Sequence, residues 1–134
     1  MTETVHARIK GKIFKDISFD TASFLDAHFI RCTFEKCTFH DADIRYALFG
    51  QSVFRNCSFT GSSILVTSFK GCTVMDSDFS SSDIFFTDFT HSDIINTKFE
   101  DCSLKRSDFR ASKLENLSFR YSDPDEAFFD GDVK

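Results

Sequence analysis

Ser82-Asp83-Ile84-Phe85-Phe86-Thr87-Asp88-Phe89-Thr90-His91-Ser92-Asp93-Ile94 puts a large apolar residue in every fifth position, with a small residue two places before it. Followed outward in steps of five, that slot holds Phe, Ile, Leu or Val at 22 consecutive positions, from Phe14 to Phe119. Fifteen are Phe, at 14, 19, 24, 29, 34, 39, 49, 54, 59, 69, 79, 89, 99, 109 and 119; the others are Ile44, Ile64, Val74, Ile84, Ile94, Leu104 and Leu114. An α-helix repeats every 3.6 residues and a strand every 2, so neither produces a period of five. Only a repeat architecture does.

The second constrained slot runs from Ala22 to Ser112 and holds only Ala, Cys, Ser or Thr. A large apolar side chain paired with a small one, repeating every five residues, describes a backbone that bends after each unit. The large residue fills the middle and the small one fits where the chain approaches its neighbours. Two residues of each unit face inward and three face outward.

This pattern resembles the pentapeptide-repeat family, whose consensus is A(D/N)LXX or its Phe-centred form. Ser82-Asp83-Ile84-Phe85-Phe86, Ala42-Asp43-Ile44-Arg45-Tyr46 and Ser107-Asp108-Phe109-Arg110-Ala111 match it as written. The resemblance implies an all-β fold, a right-handed parallel β-helix of square cross-section with four units and 20 residues per coil. The chain then holds about 5.5 coils, a rod roughly 26 Å long at a strand spacing of ~4.8 Å.

Sorting the central residues by a 20-residue period supports that coil from the sequence itself. Phe19, Phe39, Phe59, Phe79, Phe99 and Phe119 form one column, and Phe29, Phe49, Phe69, Phe89 and Phe109 another; both are pure Phe. The other two become aliphatic in the later coils: Phe24, Ile44, Ile64, Ile84, Leu104 and Phe14, Phe34, Phe54, Val74, Ile94, Leu114. Opposite walls thus share a residue type, as filling a narrow tube to native density requires.

One unbroken repeat in 134 residues reads as a single domain, with residues 1–8 as an N-terminal cap, 9–122 as coils and 123–134 as an acidic C-terminal cap. Val5 is expected as a lid. Asp123-Pro124-Asp125-Glu126 carries helix-start signals, predicting a short capping helix from Pro124 to about Phe129, with Phe128 or Phe129 closing the core. Ile17 and Leu117, large residues in the small slot, predict a wider bore near the ends. No apolar run approaches 18 residues and Met1 to Arg8 is polar, so a soluble, cytoplasmic protein without a membrane partner is expected. Cys32, Cys37, Cys57, Cys72 and Cys102 all occupy the inward small slot, which predicts reduced thiols used as small hydrophobes. Cys37 and Cys57, one coil apart, are the pair closest to a bridge.

A tube filled with Phe rings leaves no pocket for a substrate, so catalysis, cofactors and metals are not expected. Asp20, His40 and Asp41 are the one trio that the coil could bring together, and they read as a solvated surface cluster. Gly50, Gly61 and Gly71 are isolated outward positions and form no phosphate-binding motif. The net charge of −5 argues against direct nucleic-acid binding. It is also uneven: residues 121–134 hold five acids and one base, leaving 16 acids against 15 bases elsewhere.

Some members of the resembled family are DNA mimics, acidic rods that protect DNA gyrase from quinolones or peptide toxins. That resemblance implies gyrase, another type II topoisomerase or another DNA-binding protein as a partner. The candidate acidic surface is Asp76, Asp78, Asp83, Asp88 and Asp93, with no Lys or Arg between Lys70 and Lys98. Four of these acids precede successive central residues and so ring one coil, whereas a duplex mimic needs acids running lengthwise. Asp in that slot also suits hydrogen bonding to the turn backbone.

The outward residues offer an alternative. After the wall of Ile44, Ile64 and Ile84, successive coils present Leu25-Asp26, Arg45-Tyr46, Leu65-Val66, Phe85-Phe86 and Lys105-Arg106. Stacked, these put Leu25, Tyr46, Leu65, Val66, Phe85 and Phe86 on one corner of the rod, with Leu48 just round it. A contiguous apolar patch rimmed by charge marks an interface, for a protein partner or for a second copy in a homodimer. Dimerisation through Phe128 or Phe129, as in the quinolone-resistance members of the family, is the competing geometry.

Overall fold

A computed structural model describes residues 7–131; Val5, the expected lid, lies outside them. Every strand is three residues long and centred on a core residue. Ile13–Lys15, Thr33–Glu35, Val53–Arg55, Thr73–Met75, Asp93–Ile95 and Lys113–Glu115 form a six-stranded parallel sheet. Each pairs with the strand 20 residues on, aligning Phe14 with Phe34, Phe34 with Phe54 and Phe54 with Val74. Three more ladders have the same offset. One joins Ser18, Thr38, Ser58, Asp78, Lys98 and Ser118. Another joins Ser23, Asp43, Ser63, Asp83 and Ser103. The last joins Arg8, His28, Leu48, Ser68, Asp88, Asp108 and Phe128. Four parallel ladders at an offset of 20 make a four-walled β-solenoid of about five coils.

Within a wall the Phe rings stack flat, and between walls they meet edge to face. Phe59 lies 4.5 Å from Phe39 and 4.4 Å from Phe79 with planes within 3°. It meets Phe69 at 6.0 Å and 90°. Both geometries suit the ring quadrupole. Every central residue from Phe24 to Phe109 is fully buried.

The small slot does more than save space. Ser52 Oγ donates to the Phe29 carbonyl at 3.0 Å and accepts from the Cys32 N–H at 3.1 Å. Ser92 likewise bridges the Phe69 carbonyl and the Cys72 N–H. The cysteines take the same donor role: Cys57, Cys72 and Cys102 point their thiols at the Phe34, Phe49 and Phe79 carbonyls at 3.3, 2.9 and 3.0 Å. All five cysteines are free, Cys37 and Cys57 included. Expecting small hydrophobes was therefore incomplete, because Ser, Thr and Cys here are hydrogen-bonded rungs between coils. Among the described residues no buried side-chain nitrogen or oxygen lacks a partner.

The chain turns each corner through one left-handed residue, every fifth position from Gly11 to Tyr121. Most are Asp, Asn, Gly or long polar residues, which tolerate φ near +60° or extend into water. Thr21 (φ 60°), Tyr46 (φ 60°), Val66 (φ 53°), Phe86 (φ 52°) and Tyr121 (φ 65°) are the exceptions, β-branched or bulky residues in a strained conformation.

The ends correct two expectations. Ile17 is exposed and Leu117 only partly packed, so neither fills a wider bore; among the described residues each lies in a terminal coil with a neighbouring coil on one side only. The C-terminal helix is a single 3₁₀ turn, Pro124–Glu126, capped by Asp123 accepting from the Asp125 N–H, and it stops before Phe129. The turn substitutes for one repeat unit: the Arg106 N–H donates to the Glu126 carbonyl at 2.8 Å. The period then resumes, with Phe129 stacked on Phe109 at 4.9 Å and Phe128 bridged to Asp108.

Candidate functional site

The apolar corner divides by backbone position. Leu25, Leu65 and Phe85 follow directly on core residues; Leu65 and Phe85 end paired strands, and all three are half-buried. Tyr46, Val66 and Phe86 occupy the left-handed position that projects furthest, and remain 51, 43 and 49% exposed. Leu48, on the adjoining wall, is 38% exposed. Phe85 and Phe86 meet edge to face at 4.8 Å, and the Arg106 guanidinium lies 5.5 Å over the Phe86 ring. Arg45 is clamped by Asp43 through two bonds of 2.8 and 2.9 Å, and that guanidinium holds the Asp43 carboxyl below its ordinary pKa.

The acidic ring is less free than its sequence suggests. Asp78 accepts from the Ser80 N–H at 2.8 Å, and Asp88 from both the N–H and hydroxyl of Thr90. Those two carboxylates serve their own turns. Asp76, Asp83 and Asp93 are exposed, and Asp76 accepts from the Asn96 amide at 3.2 Å. Asp20 and His40 do meet, at 3.5 Å, and His40 Nε2 lies 2.9 Å from Ser58 Oγ. Burial pushes the Asp20 carboxyl up, but the His40 N–H and neighbouring groups outweigh it and leave the pKa lowered. Among the described residues no three His, Cys, Asp or Glu groups converge as a metal site would need.

Two signatures of one family match the chain: pentapeptide repeats over residues 22–61, and a pentapeptide repeat region over 52–129. The chain belongs to the pentapeptide-repeat family. Among solved structures it is similar to a pentapeptide repeat protein, Rfr23, from the cyanobacterium Cyanothece 51142. That match has a TM-score of 0.61 at 6% identity, covering 96% of this chain and 91% of the other. It is also similar to a pentapeptide repeat protein from the Arabidopsis thaliana thylakoid lumen, with a TM-score of 0.44 at 18% identity over 92% and 70% of the two chains. QnrB1, a plasmid-mediated fluoroquinolone resistance protein, matches with a TM-score of 0.36 at 18% identity over 96% and 79%. These likenesses speak to the fold alone. No curated protein sequence matches this pentapeptide-repeat chain. No described helix is long and apolar enough to cross a membrane.

The pentapeptide frame also exposes a feature that reading the glycines singly misses. Gly50 and Gly71 bring no side chains to the next corner, leaving a shallow hollow floored by Ile30 and Leu48 and edged by Gln51, Lys70 and His91. Leu48 thereby links the apolar corner to a second apolar surface across one wall. At the C-terminal end, Phe129 belongs to the core, while Phe128 is 44% exposed with the Arg110 guanidinium 5.2 Å over its ring.

Proposed function

We propose that this pentapeptide-repeat protein is a non-enzymatic binding rod that docks a protein partner through the corner formed by Tyr46, Leu48, Val66 and Phe86. The observation that carries this reading is the stacking of exposed apolar side chains on adjacent coils, three of them in left-handed positions. A position that breaks its local conformational rule at a cost in stability is retained for something the surface does. Contiguous exposed apolar area of this kind is covered by association. Working in the cytoplasm is part of the same proposal.

Modulation of DNA gyrase or another DNA-binding protein by DNA mimicry is a second reading, favoured by the exposed carboxylates of Asp76, Asp83 and Asp93. The two separate by salt. Capture of partners from host lysate through the corner persists at high salt and is lost with Phe86→Asp. Mimicry weakens steeply with salt, competes with DNA and falls with Asp83→Asn and Asp93→Asn. A gyrase supercoiling assay with and without a quinolone tests the mimicry directly. Capture unchanged by Phe86→Asp at both salt concentrations would overturn the corner as the docking surface.

A further inference from the structure

Over five successive coils, before the capping turn that puts Glu126 next in line, the projecting corner column reads Asp26, Tyr46, Val66, Phe86, Arg106, one residue per coil. All five share the left-handed conformation, with φ between 52° and 61°, so all leave the rod in the same direction. The column is acid, aromatic, aliphatic, aromatic, base, spaced evenly about Val66. Such an arrangement is complementary to its own reverse.

We propose that two copies of this chain pair side by side and antiparallel, about a twofold axis through Val66. The inference rests on reading the corner as a docking surface and names its occupant as a second copy. A twofold contact places the same patch on both partners, residue i on j and j on i. Here it sets Val66 on Val66, Tyr46 on Phe86, and Asp26 on Arg106. Among the described residues neither Asp26 nor Arg106 has an ionic partner of its own. Each flanking column meets its own reverse: on one side Leu65 meets Leu65 and Arg45 comes opposite Phe85, and on the other Ser68 meets Ser68, Leu48 comes opposite Asp88 and His28 opposite Asp108. In the central column both charged residues face an opposite charge. A parallel pairing would instead set Asp26 on Asp26 and Arg106 on Arg106, so like-charge repulsion selects against it.

Four coil spacings separate Asp26 from Arg106, about 19 Å. A strip of that length falls short of a standard interface, so the dimer is weak and its population depends on concentration. Sedimentation of the whole chain from about 10 μM to about 1 mM spans the range in which such an interface titrates. Dimer growing through that range is the expected result, with Asp26→Lys or Arg106→Asp each weakening association about tenfold or more. The double reversal, Asp26→Lys with Arg106→Asp, restores it, because the swapped charges again face opposites.

Val66→Cys provides a second readout. It lies on the axis, so mild oxidation links two copies covalently. Tyr46→Cys does not link, since its two copies stand two coils apart, about 10 Å, beyond disulfide reach. The native cysteines are buried and stay out of the reaction. All four substituted positions point away from the core, and thermal melting verifies the fold. A wild type that stays monomeric throughout, a double reversal no better than the singles, or a Val66→Cys that never cross-links would each overturn antiparallel pairing. If self-pairing fails while Phe86→Asp still abolishes capture of another protein, the docking corner stands and only its occupant is wrong.

Discussion

At the residue scale, the slot two positions before each core residue sets how tightly coil is tied to coil. Ser92 Oγ donates to one backbone group and accepts from another, both inside the core. Ser92→Ala removes one bond each from a buried carbonyl and a buried N–H that still meet each other at 3.1 Å, and should cost about 1 kcal/mol in urea unfolding. Ser92→Cys keeps the donor and should cost less. The buried thiols make a second prediction. Burial pushes Cys57 and Cys72 up to about 12 and Cys102 to about 11. In the folded state they remain protonated where the unfolded chain ionises, so stability is full below the unfolded thiol pKa. Between roughly pH 8.5 and 11 it falls by about 1.4 kcal/mol per pH unit for each such thiol. Denaturant midpoints measured across that range, with Cys57→Ser removing its share, check the slope. The sequence shows Ala, Ser and Cys alternating in this slot and so reveals its size. The bond it makes depends on the carbonyl 23 residues earlier, which only the coil brings near.

At the scale of the repeat unit, ring stacking and corner conformation dominate. Phe59 contacts flat neighbours above and below and edge-on neighbours across the tube. Phe59→Ala opens a cavity that rigid flanking rings cannot fill, and should cost about 3–5 kcal/mol by chemical denaturation. Val66→Asn has the opposite sign: Asn tolerates φ near +60°, so the variant should gain about 1 kcal/mol while losing apolar contact at the corner. A melting temperature that rises as association falls is the expected pairing of results. The columns of Val66 and Phe86 were legible from the five-residue period. Their greater exposure than Leu65 and Phe85 was not, because it follows from the left-handed turn rather than from residue type. Phe129 was legible as one of two candidates to close the core, but its place in the five-residue register was not. Pro124 occupies the slot where the next core residue belongs, and its helix-start signals outweighed a period that resumes five residues later.

Across the whole molecule, each coil touches only the coils above and below it, so stability is a sum of neighbour terms and opening begins at the ends. Amide exchange should therefore be slowest between Phe54 and Ile84 and fastest near Phe14 and Phe129, as hydrogen-exchange mass spectrometry can read. The four-walled coil also turns sequence length into direction. Removing five residues between Val66 and Phe86 would still set a large apolar residue in every inward slot. Everything beyond the cut, however, would rotate a quarter turn, and Phe86 would leave the corner it shares with Val66 for the neighbouring one. Removing 20 would shorten the rod and leave every bearing unchanged. For this chain, insertions and deletions in multiples of five are steering operations: they re-aim the surface while the interior scarcely registers the change.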